Sequence, residues 1–87
     1  MFYKIDTTRR PQPNCGNLIY PIYKDDIKIA SLETEFRGED GEIVFNDGKR
    51  VSYEHYRPWT DVQIEGNYYE VRKDAIEIIE AHLSRNK

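Results

Sequence analysis

Two turn signatures constrain this chain more than any other feature. Between Glu42 and Val71, the triplet Asn46-Asp47-Gly48 and the pair Gly66-Asn67 each separate short runs in which apolar and polar residues alternate. That period of two, broken by residues that tolerate positive φ, specifies antiparallel β-hairpins.

The register of the first hairpin follows from asking which pairing gathers its apolar residues on one face. A two-residue Asp47-Gly48 turn would set Val44 opposite Val51 and leave Ile43 and Phe45 facing Ser52 and Arg50. A three-residue Asn46-Asp47-Gly48 loop, with Gly48 left-handed, instead sets Ile43 opposite Val51 and Phe45 opposite Lys49. Ile43, Phe45, Val51 and Tyr53 then share a face, so the longer loop is expected. Asn and Asp suit such a turn through side-chain bonds to their own backbone. In the second hairpin a two-residue Gly66-Asn67 turn, with positive φ at Gly66, pairs Ile64 with Tyr69 and Val62 with Val71 and turns Gln63, Glu65, Tyr68 and Glu70 outward.

The chain of 87 residues reads as one domain, 1–87. At this length about 60 to 65% of the unfolded surface is buried on folding, which disfavours a large enclosed substrate cavity. Hydrophobic residues make up 38% and charged residues 33%, so the 11 aromatic side chains must supply much of the core area. A single cysteine, Cys15, excludes an internal disulfide framework and favours a reducing compartment. No apolar run is long enough to span a membrane, and the first residues lack a signal-peptide core, so a cytoplasmic protein without membrane contact is expected.

Net charge is -3, but it is segregated along the chain. Residues 25 to 48 hold eight acids against Lys28 and Arg37, a net of -6, whereas residues 1 to 24 sum to +3 and residues 49 to 60 to +2. Clustered acids of this kind steer a protein toward basic surfaces.

Around the two hairpins the remaining segments fall into order. Phe2 to Ile5 alternates as a first strand. Residues 7–16 form a basic loop containing Pro11 and Pro13, each of which holds its predecessor extended. Asn17 to Tyr23 is β-prone, but Pro21 donates no hydrogen bond, which predicts a strand that either lies at a sheet edge or bends there, with Tyr20 and Tyr23 at a rim. Residues 27–36 fit either a helix or, preferably, a strand with a bulge near Ala30-Ser31. Gly38 to Gly41 is a turn whose acids lack the spacing of a calcium loop. Tyr56 and Trp59, in the irregular stretch before the second hairpin, read either as caps on the end of a small barrel or as interface anchors. Residues 73–85 carry the stripe Ala75, Ile76, Ile79, His82 and Leu83 of an amphipathic helix, with His82 at the core boundary. The expected fold is α+β: a small antiparallel sheet or partly open β-barrel of about five to six strands, packed by one C-terminal helix.

No catalytic or metal-binding residues and no cofactor are expected. Cys15, His55 and His82 fall on separate segments, and there is no glycine-rich phosphate loop, HExxH or CxxC. The composition points to a small protein-binding module or inhibitor that occupies a basic partner surface, in the manner of acidic proteins that imitate nucleic-acid charge. The residues expected to touch the partner are Glu33, Glu35, Glu39, Asp40, Tyr56, Arg57, Trp59 and Tyr68, combining clustered acids with the Tyr, Trp and Arg that dominate interface hot spots. The alternative is a nucleic-acid-binding barrel in which Tyr20, Tyr23, Tyr56 and Trp59 stack bases while Arg9, Arg10, Lys49, Arg50 and Arg57 contact phosphates. The acidic balance of the chain disfavours it.

Overall fold

A computed structural model describes residues 3–8, 18–34, 41–53 and 57–85. They form seven strands and one helix: β1 (Tyr3–Asp6), β2 (Leu18–Lys24), β3 (Ile27–Thr34), β4 (Gly41–Phe45), β5 (Arg50–Tyr53), β6 (Trp59–Glu65), β7 (Tyr68–Val71) and α1 (Lys73–Arg85). All strands join one antiparallel sheet in the order β5-β4-β3-β2-β1-β7-β6. This is the expected α+β architecture with more strands than anticipated.

The β4–β5 hairpin folds as its residue pattern dictates. Ile43 pairs with Val51, Phe45 N donates to Lys49 O at 2.9 Å, and Gly48 N donates to Phe45 O at 2.9 Å. Gly48 takes φ +92°, and Asp47 Oδ1 accepts from Lys49 N at 2.9 Å. Asn46 differs from expectation: its side-chain amide donates to Lys28 O of β3 at 2.9 Å, tying the turn to the neighbouring strand.

Residues 27–34 are strand, and the bulge falls just before Ala30. Tyr23 pairs with Lys28 and Ile22 with Ala30, so Ile29 is the extra residue. The preceding turn, Asp25-Asp26, has φ +50° and +68°. Positive φ at both centres is the geometry whose twist matches that of a two-residue hairpin.

Of the two expectations for β2, an edge position or a bend, the edge position is corrected, because β2 lies between β1 and β3. The ladder explains how Pro21 is accommodated. Hydrogen-bonded and non-bonded pairs alternate across antiparallel strands, and stepping back from the Phe45–Lys49 bond makes Pro21 and Ser31 a non-bonded pair. The proline nitrogen thus faces β1, beyond the last pair Ile5–Ile22.

The second hairpin keeps its two-residue turn, with Glu65 opposite Tyr68 and Gly66 at φ +53°, but its register departs from expectation. Tyr69 meets Gln63 instead of Ile64, and Val71 meets Trp59 instead of Val62. Val62 is consequently 54% exposed, while Trp59 packs against the core. A tryptophan brings far more apolar area to a core than a valine does, so the register that seats Trp59 prevails.

The sheet is open in hydrogen bonds but strongly curled. Tyr20 on β2 and Trp59 on β6 are three strand steps apart, about 14 Å in a flat sheet, yet their ring centroids are 5.1 Å apart in an edge-to-face contact. The concave face holds Tyr3, Ile5, Tyr20, Ile22, Leu32, Ile43, Phe45, Tyr53 and Val71, and α1 lays Ala75 and Ile79 into it. Arg72 immediately precedes helix α1; its carbonyl accepts from Ile76 N at 3.0 Å and its own N–H donates to Pro58 O at 2.7 Å. Asp74 lies in the first turn and Arg85 in the last, both favourable to the helix dipole. No helix is long and apolar enough to cross a membrane among the described residues.

Candidate protein-binding face

Alternation along each strand sends every second side chain to the convex face, opposite α1. On β3, β4 and β5 this delivers Glu33 directly across from Glu42, with Arg50 on the neighbouring edge strand. Like charges opposed across a ladder destabilise it. Arg50 Nη1 answers both, 3.3 Å from Glu33 Oε1 and 3.3 Å from Glu42 Oε1. The hydrogen bond to Glu33, followed by that carboxylate's charge, raises the guanidinium pKa still further. Two carboxylates share one cation, which leaves this strip negative.

On the other half of the same face, Lys4, Tyr23 and Tyr68 converge from β1, β2 and β7. Tyr23 and Tyr68 meet edge to face with centroids 5.9 Å apart, and Lys4 Nζ lies 4.6 Å above the Tyr68 ring. The ammonium also donates to Asp26 Oδ1 at 2.7 Å, the main reason its pKa is raised. Ile19, Pro21 and Val44 occupy the same face, each half-buried. The exit of β1 is fixed nearby: Thr7 N and Oγ1 donate to Asn67 O at 2.9 and 2.7 Å, and the Asn67 side-chain amide donates to Thr8 Oγ1 at 3.0 Å.

The residues expected to form a single binding surface are therefore divided. Glu33 and Tyr68 share the convex face. Trp59 turns to the concave side against Tyr20, with the Arg57 guanidinium 5.7 Å from its ring centre and paired to Asp61 at 2.7 Å. Glu35, Glu39, Asp40 and Tyr56 lie outside the described residues, as does His55. Tyr20, expected at a rim with Tyr23, is only 7% exposed, a correction that follows from the curl of the sheet. Burial withdraws Tyr20 from the stacking set of the nucleic-acid alternative, and two of its candidate cations, Arg50 and Arg57, are engaged by carboxylates.

Sequence reasoning did not find the Glu33–Glu42–Arg50 and Lys4–Tyr23–Tyr68 groups. The available signal was the alternation itself: once β2 to β5 are aligned by their buried residues, these positions fall together on the other face. His82 is the boundary residue expected, stacked on Phe45 at 3.9 Å and 3.0 Å from Asp47 Oδ2. With Ile29, Asn46 and Leu83 these residues line a groove of about 400 Å³.

Comparison with protein-family models, curated proteins and solved structures finds no match.

Proposed function

We propose that this protein is a binding module that docks its convex sheet face on a basic surface of a partner protein. The observation that carries this reading is the opposed pair Glu33 and Glu42 sharing the single guanidinium of Arg50 at 3.3 Å. A cation from a partner would complete the neutralisation that Arg50 leaves half done. Tyr23 and Tyr68, on the other half of the same face, supply large amphipathic surface of the kind enriched at interface hot spots. The net of -6 carried by residues 25 to 48 extends the attraction beyond contact distance. The contact set of this reading is Glu33, Glu42, Tyr23 and Tyr68, with Glu35, Glu39 and Asp40 contributing charge. A cytoplasmic setting and an inhibitory mode, in which occupying the partner blocks it, belong to the same proposal; the lone Cys15 is in keeping with a reducing compartment.

The test is capture of partners from lysate at low salt, followed by association kinetics with the double variant Glu33→Lys and Glu42→Lys. The reading expects a captured protein whose association slows with added salt and slows again with the reversal, since exposed charges act on rates more than on lifetimes. Capture of nucleic acid instead, or an unchanged association rate in a folded double variant, would refute it.

A further inference from the structure

The two edges of the sheet differ in a way that bears on how a partner attaches. On β6 the pairing with β7 shifts twice, Val62 N is taken by Thr60 Oγ1 at 3.1 Å, and the Gln63 side chain donates to Gly66 O at 2.6 Å. Bulges and self-satisfied backbone of this kind keep an edge from accepting another strand. Strand β5 has neither device: Gly41–Tyr53, Glu42–Ser52, Ile43–Val51 and Val44–Arg50 pair without a shift.

The orientation of its backbone follows from one bond. Phe45 N donates to Lys49 O, so by alternation Val51 and Tyr53 also bond toward β4, and the N–H and C=O groups of Arg50 and Ser52 point away from the sheet. As β5 ends the strand order, these groups have no backbone partner among the described residues. Resting on the protein-binding reading above, we infer that β5 accepts an extended segment of the basic partner as an eighth strand, held through the backbone of Arg50 and Ser52.

The side chains specify what that segment carries. Val51 is half-buried on the concave face, so an apolar residue beside it extends the core. On the convex face Arg50 is drawn inward to Glu33 and Glu42, whereas Ser52 is small and exposed. Glu42, opposite Ser52 on β4, lies two strand spacings from the incoming strand, about 10 Å between backbones. A lysine or arginine passing over Ser52 spans that gap and reaches the Glu42 carboxylate, which is 47% exposed. The occupant is thus a strand in which apolar residues alternate with basic ones.

A capped peptide alternating Val and Arg serves as the probe, with a Val and Glu alternation as its counterpart, and binding is followed by amide chemical shifts and hydrogen exchange. The Val and Arg peptide is expected to shift the Arg50 and Ser52 amides and slow their exchange in the wild type and in Ser52→Ala. Ser52→Pro removes the outward donor without touching the β4 ladder, and the extended preceding residue tolerates proline. It should weaken binding about tenfold, the equivalent of one hydrogen bond, while the remaining amide spectrum is retained. Equal affinity of Ser52→Pro, or equal binding of the Glu peptide, overturns the inference. Shifts at Glu33, Glu42 and Tyr23 with Arg50 and Ser52 unmoved overturn it while leaving the face reading intact; absence of binding to any face removes both. Protected Arg50 and Ser52 amides with a dimeric mass in the wild type alone would make a second copy the occupant, and this also overturns it.

Discussion

Gly48 shows how much one backbone angle decides. At φ +92° with open space where a Cβ would lie, the cost of replacing it is conformational alone. Gly48→Val should destabilise by about 1 to 2 kcal/mol, read as a lower urea midpoint with an unchanged slope. Asp25 at φ +50° is the mirror case, a side chain already in left-handed geometry. Asparagine is preferred at the first centre of such a turn, so Asp25→Asn should raise stability by roughly 0.5 kcal/mol in the same measurement. Tyr53 carries a pH signature. Its hydroxyl donates to Asp74 Oδ1 at 2.8 Å, and burial first, then this bond, push its pKa up. The folded protein therefore keeps a proton that the unfolded chain loses near pH 10. Stability from this group is complete below about pH 10 and is lost as pH rises further. Unfolding measured across that range should be less pH-sensitive in Tyr53→Phe than in the wild type.

At the scale of elements, local chemistry was legible and long-range pairing was not. The β4–β5 register was readable because Gly48 and four apolar residues agree within twelve positions. The bounds of α1 were readable from its stripe and charged ends. The Asp25-Asp26 hairpin escaped because aspartate enters left-handed geometry too seldom to announce a turn. The β6 register escaped because it is set by Trp59 reaching Tyr20, a contact between elements distant in sequence. The interior placement of Pro21 depends on where the β1–β2 pairing ends, which its own segment does not encode. Helix α1 closes the concave face with Ile79, which is fully buried. Ile79→Ala should therefore cost about 2 to 5 kcal/mol in chemical denaturation. A chain ending at Lys73 should lose its cooperative transition altogether; a retained transition would show α1 to be an accessory.

For the whole molecule, a radius of gyration of 12.1 Å matches the roughly 12 Å expected of a compact chain of this length. The curled sheet and α1 enclose their apolar residues on one side, so the convex side is where the described chain presents a broad surface. The fold class could be read in advance, but the division of the expected contact residues between two faces could not, since it depends on curl. Glu33 with Glu42 and Tyr23 with Tyr68 are neighbours created by strand order. The most direct measurement is an amide shift map on titration with an oligo-arginine peptide, repeated with a single-stranded oligonucleotide. Binding through the convex face predicts peptide-induced shifts concentrated at Glu33, Glu42, Val44, Tyr23 and Tyr68 that shrink as salt is added. Equal shifts at Glu77 and Glu80 on the exposed side of α1, or tighter binding of the oligonucleotide, would contradict it.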